Sequence, residues 1–335
     1  MKRILFLFLL LLHVACGAAK KELSDFPSWV HNPYSKYNKT FYFAAVGNSD
    51  TKKGAEKDAY ANISKIIQTK ITSNESLEQE YVEETGKEIQ TREQLNQYTN
   101  LQTNQTLKNI KIAKTYYDQN EANYYALAYL NRTETANIYE NEISDKSIEI
   151  NNYYQQYQNA SDKLQKLQFL KKALSLTQQN QYLNSQLRVI SHTGQTVKLP
   201  YNLSKLISEK MQLTNTIQVS ITPKGAFKEK LKNYISYALE EVGFSVINTN
   251  NYNADFELIA NFEIQKANLN RKNLFFVNWY LNIDFINNFT KKSELTFNKS
   301  GRSGQINLQQ AKQRAIMEIE NVVKTDFVNY CNNKL

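Results

Sequence analysis

Apolar positions along this chain follow two periods, and each switch between them marks an element. Thr40 to Val46 is aromatic and β-branched, as a strand would be; Gly47 to Asp50 turns the chain, and Ser49 or Asp50 stands where a helix cap is expected. Ala55, Ala59, Ile63, Ile66 and Ile67 then recur every three to four residues, one helical face whose small residues let the helix lie close to a sheet. The pattern goes on to predict a strand from Thr69 to Glu83, a helix from Lys87 to Leu107, and strands over Ile110 to Asp118 and Asn123 to Leu130, the last two joined by the hairpin connection "QNEA". The order βαβαββ predicts an α+β sandwich.

Past residue 139 the period is helical. Ala136, Ile143, Ile150 and Tyr157 stand seven apart, flanked by Tyr139 and Tyr153; after "QNASD", Leu164, Leu167, Lys171 and Leu174 form a second stripe. Two long helices with a short polar turn between them are expected to pair as an antiparallel hairpin, in the manner of a coiled coil. The tyrosines at 139, 153, 154 and 157 fit its seam, with a binding face as the sharper alternative. "SHTGQTVKLP" breaks the pattern, and a third helix is expected over Leu203 to Met211.

The last stretch alternates again. "TIQVSITP" reads as a strand; Phe227, Leu231, Ile235, Ala238, Leu239 and Val242 share a helix face that Gly243 ends; Phe244 to Ile247 is a short strand. "ADFELIANFEIQKAN", "LFFVNWYLNIDFINN" and "SELTFNKSGRSG" predict a three-stranded antiparallel meander with one wet face, with Val277, Trp279 and Leu281 behind Phe275 on one side and Asn278, Tyr280 and Asn282 on the other. Ala311, Ala315, Ile319, Val322, Val323, Phe327 and Tyr330 mark a closing helix. The fold class expected is therefore α+β: two α/β sandwich modules with antiparallel or mixed sheets, residues 27–139 and 214–335, joined by a helical hairpin spacer over 140–213.

At the start, Lys2 and Arg3, the apolar run Ile4 to Leu12, and Val14, Ala15 and Cys16 have the three-part layout of a secretory leader. A spanning helix needs about 20 apolar residues, and Ala18 to Glu22 turn small and then charged, so a leader over 1–15 and a tether over 16–26 are expected, with no permanent span. Small residues leading into a cysteine resemble the bacterial lipobox. That likeness implies cleavage before Cys16 and attachment of a diacylglycerol group to its thiol, with palmitate among the acyl chains. His13 stands where the pattern usually has leucine, and ordinary cleavage after Ala15 or Ala18 is the competing reading. Gly17 and Ala18, with no aspartate beside them, look like default sorting to the outer membrane, facing the periplasm.

Composition narrows the picture further. At 335 residues, two or three domains are expected, and 41% hydrophobic residues supply real cores. Only 9 glycines and 4 prolines occur, against compositional disorder. The formal charge is +9, of which the leader supplies two, and it is spread without basic blocks. A solvated surface with mild attraction to anionic headgroups explains that better than nucleic acid, which is not an expected partner. Cys331, the other cysteine, has no partner for a disulfide within the mature chain and reads as a small half-buried hydrophobe.

"PSWV", "YFAAVGNS", the spaced alanines of "GAEKDAYANISKII" and "ANYYALAYLNR" together resemble the LPP-twenty family of bacterial lipoproteins, whose fold also occurs in a flagellar outer-membrane accessory protein. The likeness covers about a third of the chain and implies a fold without a catalytic residue. "GFSVINTNNYNADFELIANFEI" with "VNWYLNIDFINNFTKKSEL", including the pair Ala254 and Asp255 that opens a strand, is similar to lipoproteins that activate penicillin-binding proteins and to the N-terminal domain of the TolB family. That implies gripping other proteins without a cofactor.

Candidate chemistry is sparse. The 3 histidines, at 13, 31 and 192, have no metal-ligand spacing, and no cysteine pair suits zinc, so neither metal nor cofactor is expected. Gly47 to Gly54 lacks the spacing of a phosphate loop. "SGRSG" has arginine at its centre and reads as a turn. Glu83 with Glu84 and Glu240 with Glu241 are adjacent, which turns side chains apart, whereas a glycan hydrolase needs two carboxyls facing across a cleft. No enzyme is expected. The expectation is an outer-membrane lipoprotein, anchored through Cys16, that binds envelope or cell-wall-associated proteins as a scaffold; an organiser of peptidoglycan synthases or a flagellar accessory protein is the alternative, with a glycan-binding or glycan-hydrolysing module behind both.

Overall fold

The computed structural model describes residues 26–84, 107–247, 254–269 and 273–335. Leader, Cys16 and the helix expected from Lys87 lie outside these residues. Two compact units emerge, one taking in residues 26–84, 107–140 and 184–196, the other 141–183 and the described residues from 197 on.

In the first unit a four-residue helix α1 (Ser28–His31) and a 3-10 turn (Pro33–Ser35) precede strand β1 (Tyr42–Ser49), helix α2 (Lys52–Glu84) and strands β2 (Lys111–Asp118) and β3 (Asn123–Asn131). The sheet order is β1-β3-β2, antiparallel throughout. Phe43 and Ala45 on β1 pair with Leu130 and Ala128 on β3 and face α2, whose Ala55, Ala59, Ile63, Ile67 and Ile71 are buried. Gly47 is not in a turn but in β1, and an added Cβ would lie 2.0 Å from the Ala59 backbone nitrogen. Glycine and the two alanines bring helix and strand together. Thr51, not Ser49 or Asp50, caps α2: its Oγ1 accepts from the Gly54 N–H at 3.1 Å.

The strand expected over Thr69 to Glu83 is helix. Ile63, Ile67 and Ile71 continue one buried face, and on the exposed side Thr69 and Ser73 bond their hydroxyls to the carbonyls of Lys65 and Thr69, so these residues are accommodated within the helix. Spacing won over composition.

Helix α3 (Arg132–Asn159) starts directly after β3, and α4 (Lys163–Ile190) follows three residues after it ends. Residues 141–183 of this pair belong to the second unit. There the helices run antiparallel, with Asn180 donating to the Ile143 carbonyl at 3.0 Å and Lys172 placed 5.2 Å from the Tyr153 ring centre. Leu170, rather than Lys171, carries the buried stripe, beside Tyr154, Leu174 and the Leu203, Leu206 and Ile207 of α5 (Leu203–Asn215).

The second unit continues with β4 (Gln218–Gly225), α6 (Lys228–Val242), β5 (Ser245–Ile247), β6 (Phe256–Lys266), β7 (Phe275–Asn287), β8 (Ser293–Gln305) and α7 (Leu308–Asn321), which runs through a π-helical turn (Val322–Phe327) into α8 (Val328–Lys334). The sheet is mixed, in the order β5-β4-β6-β7-β8: β4 is parallel to both neighbours and β6-β7-β8 is the expected meander. Val277, Trp279, Leu281, Ile283 and Phe285 bury the inner face of β7, whereas Phe275 at its start is 42% exposed. Ala311, Ala315, Ile319, Val323, Phe327 and Cys331 recur every four residues and are all buried. A spacing of four drifts around a helix of 3.6 residues per turn, and the wider π-helical turn brings the stripe back onto the sheet.

Candidate functional site

Three places gather polar or aromatic groups. In the second unit, a cleft of about 270 Å³ is lined by Asp162, Lys163, Ala254 to Phe256 and Asn287 to Phe289. Asp162 caps α4, accepting from Gln165 N–H at 2.8 Å. Lys163 donates to Asp255 Oδ2 and to the Thr216 carbonyl, both at 2.7 Å, and the same Asp255 oxygen accepts the Gln218 N–H that opens β4. Asn287 spans Asp162 and Glu294, and Asn288 donates to the Ala254 carbonyl. Ala254 and Asp255, singled out in the sequence, thus lock the start of β6 to α4 and β4. The polar groups of the cleft are engaged with one another, an arrangement that fastens elements together.

Glu318 on α7 is the second. Its Oε2 accepts Trp279 Nε1–H at 3.0 Å and the Ser303 hydroxyl at 2.6 Å, while Arg314 pairs with its Oε1. "SGRSG" is therefore not a turn: it lies in β8, where Gly301 opposes Trp279 and a Cβ there would meet the indole at 2.3 Å. Glycine leaves room for the ring. Trp279 is 5% exposed, a core residue with a satisfied N–H.

The outer face of the first unit's sheet is the third. Trp29 of α1 packs there on Ala44 and Leu127, ringed by Tyr34, Tyr37, Tyr116, Tyr125 and Tyr129, all half-buried. Tyr37 stacks on Tyr129 at 4.9 Å between ring centres, Tyr42 meets Tyr129 at 6.1 Å, and Phe26 meets Tyr116 and Tyr125 at 5.7 and 5.6 Å. Burial, then the neighbouring Tyr129 and Tyr42, push the Tyr37 hydroxyl up; a hydrogen bond to Glu121, then burial, does the same for Tyr125. These phenols stay neutral and offer hydroxyls at the rim of an apolar patch.

Arg132, the last residue of "ANYYALAYLNR", holds this unit from behind. Its guanidinium donates to the carbonyls of Ile190 and Ser191 at 2.8 Å and to those of Val189 and Thr40 at 3.2 Å, and it stands 4.8 Å from the Phe43 ring centre. It caps the carbonyl end of α4, a role the sequence hinted at only by ending its motif there.

The other residues weighed from the sequence are scattered. Cys16 lies outside the described residues. Cys331 is 1% exposed, and burial pushes its thiol up to about 12 against the opposing effect of Lys171. His31 and His192 are exposed beside Phe26 and Phe41. Glu240 and Glu241 are both exposed on α6. Tyr154 is buried and Tyr157 half-buried against Leu170 and Leu174, and Tyr153 is half-buried beside Lys172, which is seam packing; Tyr139 is instead buried in the first unit. Among the described residues no cluster of His, Cys, Asp or Glu could hold a metal ion, and no helix is long and apolar enough to cross a membrane.

Residues 27–131 match the LPP20 lipoprotein family model. The match takes in Trp29, β1, α2 and β3 and ends one residue before Arg132. No curated protein matches. Among solved structures, the chain is similar to the secreted protein HP1454 from Helicobacter pylori, at 12% identity over 85% of this chain and 97% of that one, with a TM-score of 0.42. It is also similar to a minor lipoprotein from Acinetobacter baumannii, at 12% identity over 35% of this chain and 90% of that one, TM-score 0.26. Lipoprotein GNA1162 from Neisseria meningitidis matches at 10% identity over 32% and 99%, TM-score 0.23.

Proposed function

We propose that the chain, whose residues 27–131 match the LPP20 lipoprotein family, is a non-enzymatic lipoprotein of the cell envelope, anchored through acylated Cys16 in the outer membrane and facing the periplasm, where it holds other envelope proteins. The observation that carries the reading is the outer sheet face of that matched segment. Tyr34, Tyr37, Tyr116, Tyr125 and Tyr129 surround Trp29 there, rigid amphipathic side chains of the kind protein interfaces favour. The acyl group confines that face to a membrane surface and raises its effective concentration near partners fixed in membrane or wall. An organiser of peptidoglycan synthases is the narrower version. It draws on the sequence resemblance around Ala254 and Asp255.

Two experiments test the proposal. Intact-mass analysis of the exported protein is expected to show an acylated Cys16 at its start, and Cys16→Ser is expected to release it from the membrane fraction; a bare amino terminus overturns the anchor. A photoreactive side chain in place of Tyr116, on the tyrosine face, is expected to cross-link an envelope protein in cells, and one in place of Tyr60, 37% exposed on α2, is not. Equal cross-linking from both positions overturns the docking face.

A further inference from the structure

We propose that the turn between β7 and β8 is a second membrane contact, a rigid tip that inserts Phe289 into an anionic phospholipid surface while Lys291 and Lys292 meet its headgroups. Phe289 is 94% exposed; the next large apolar side chain among the described residues, Ile148, is 69% exposed. An isolated exposed apolar residue means little by itself. Here the backbone beneath it is fastened. Asn287 Oδ1 accepts the N–H groups of Phe289 and Thr290 at 2.9 and 3.1 Å, Asn287 exchanges backbone bonds with Lys291 and Lys292, and Asn288 bonds to Asp255 and Ala254 through both its backbone and its side chain.

The turn also accepts strain, since Lys291 is held at a φ of 59°, the left-handed region a lysine seldom occupies. So the phenyl ring is presented at a fixed place and is not swept through water by a loose loop. Beside it Thr290, Lys291 and Lys292 are exposed. Of the carboxylates around the turn, Asp255 is paired with Lys163, while Asp162 and Glu294 accept from the neutral Asn287 amide, keep their charge and lie behind the exposed lysines. The tip therefore offers one large apolar group and two cations, which suits a bilayer with anionic headgroups: the ring gains from leaving water and each lysine from the surface potential.

Worked as fold-changes, the ring contributes about tenfold to a hundredfold in partition, and each lysine about fivefold. Alone, that product gives weak, reversible binding that excess lipid reveals, short of stable anchoring. It suffices when an anchor already keeps the chain at the surface, a step that rests on the Cys16 anchor proposed above. The contact would then fix which part of the second unit meets the bilayer.

The test uses the exported, full mature protein with Phe289→Cys labelled by an environment-sensitive fluorophore, Cys331 being buried. Vesicles of phosphatidylcholine alone are compared with vesicles containing one third phosphatidylglycerol. Flotation on neutral vesicles reads the anchor; a blue shift of the label, quenched by shallow spin-labelled lipid, reads the tip. The expected result is a blue shift on anionic vesicles, reduced more than tenfold in vesicle titration by adding Lys291→Glu and Lys292→Glu. Without the label, Phe289→Ser is expected to weaken binding to anionic vesicles about tenfold in a Cys16→Ser chain freed of its leader. A chain that floats only on anionic vesicles, with the blue shift, supports the tip and overturns the anchor. A label that stays in water on every vesicle, one buried only when an envelope protein is added, or binding that ignores Phe289→Ser overturns the tip.

Discussion

Arg132→Met removes the fork that closes the carbonyl end of α4 while keeping a long apolar side chain over Phe43. Four carbonyls, those of Thr40, Val189, Ile190 and Ser191, lose a charged donor at 2.8 to 3.2 Å. A hydrogen bond to a charged group contributes about 1.5–3 kcal/mol net, so four would sum to about 6 kcal/mol or more, larger than single substitutions usually cost. The sum overstates the loss. The Thr40 bond lies at an exposed position, and helix-end carbonyls that are partly exposed regain water. Counting the two 2.8 Å bonds fully and the others as rehydrated leaves a loss of about 3 kcal/mol. With a urea slope of about 2 kcal/mol/M, the midpoint should fall by about 1.5 M at unchanged slope. Trp29 fluorescence in a Trp279→Phe background reports the first unit alone, since the chain has 2 tryptophans. Arg132→Lys should recover less than half of the loss, because one ammonium cannot reach acceptors on two separate segments at once. A midpoint change below about 0.5 M in Arg132→Met would show that water replaces the guanidinium at no cost, and would refute the capping argument.

Gly47→Ala places a methyl group 2.0 Å from the Ala59 nitrogen and forces α2 off the sheet, so a loss of about 3 kcal/mol is expected in the same titration; a neutral substitution would mean that helix and strand are not in contact there. Gly301→Ala drives a methyl into the Trp279 ring, and the expected sign is a near-ultraviolet circular dichroism change as the indole leaves Glu318. Cys331, whose thiol burial raises from 9.0 to about 12, favours the neutral folded form: its contribution is intact below pH 9 and drains as pH rises towards 12. The upper limit is about 4 kcal/mol, part of an alkaline slope that Tyr154, raised to about 12 by burial and then its bond to Glu209, shares. Cys331→Ala should flatten that slope between pH 9 and 12, and native Cys331 should resist maleimide until the chain unfolds; rapid native labelling would contradict the burial.

How far the fold could be read in advance depended on where each element keeps its information. β6 and β7 each bury one face, so a period of two is written plainly into "FFVNWYLNIDFIN", and the expected strands lie within two residues of the observed ones. The end of α2 misled because Ile, Thr and Val favour strands by composition, while the spacing that decides the matter sits partly upstream at Ile63 and Ile67. "SGRSG" could not be recognised as strand from its own residues. What completes it is Trp279 and Phe276 on β7, whose rings cover Gly301 and Gly304. The closing stripe was legible as a helix, but not as one that needs a π-helical turn to keep a spacing of four in register with a sheet.

The polar constellations show the same limit more sharply, and they bear on what the molecule does. Asp255 was visible as the residue opening a strand; its partners Lys163 and Gln218 come from elements far away in sequence, and together they turn an acidic side chain into a fastening. Glu318 is likewise occupied, by an indole, a serine hydroxyl and an arginine, a set that no local motif announces. A general acid or base must keep an oxygen poised for substrate. Carboxylates that each satisfy two or three donors from different elements are instead strong determinants of shape. In the second unit the Asp255 fastening lies beside the turn that carries Phe289 above Asn287, and in the first unit, separately, Tyr37, Tyr116, Tyr125 and Tyr129 form an outward-facing rim around Trp29. Rigid aromatic groups at a water boundary lose little entropy on binding and gain from every partner surface that dries them. Acids occupied in fastening and aromatic groups left at the surface are why the binding tests above aim at tyrosine and phenylalanine, away from the acids.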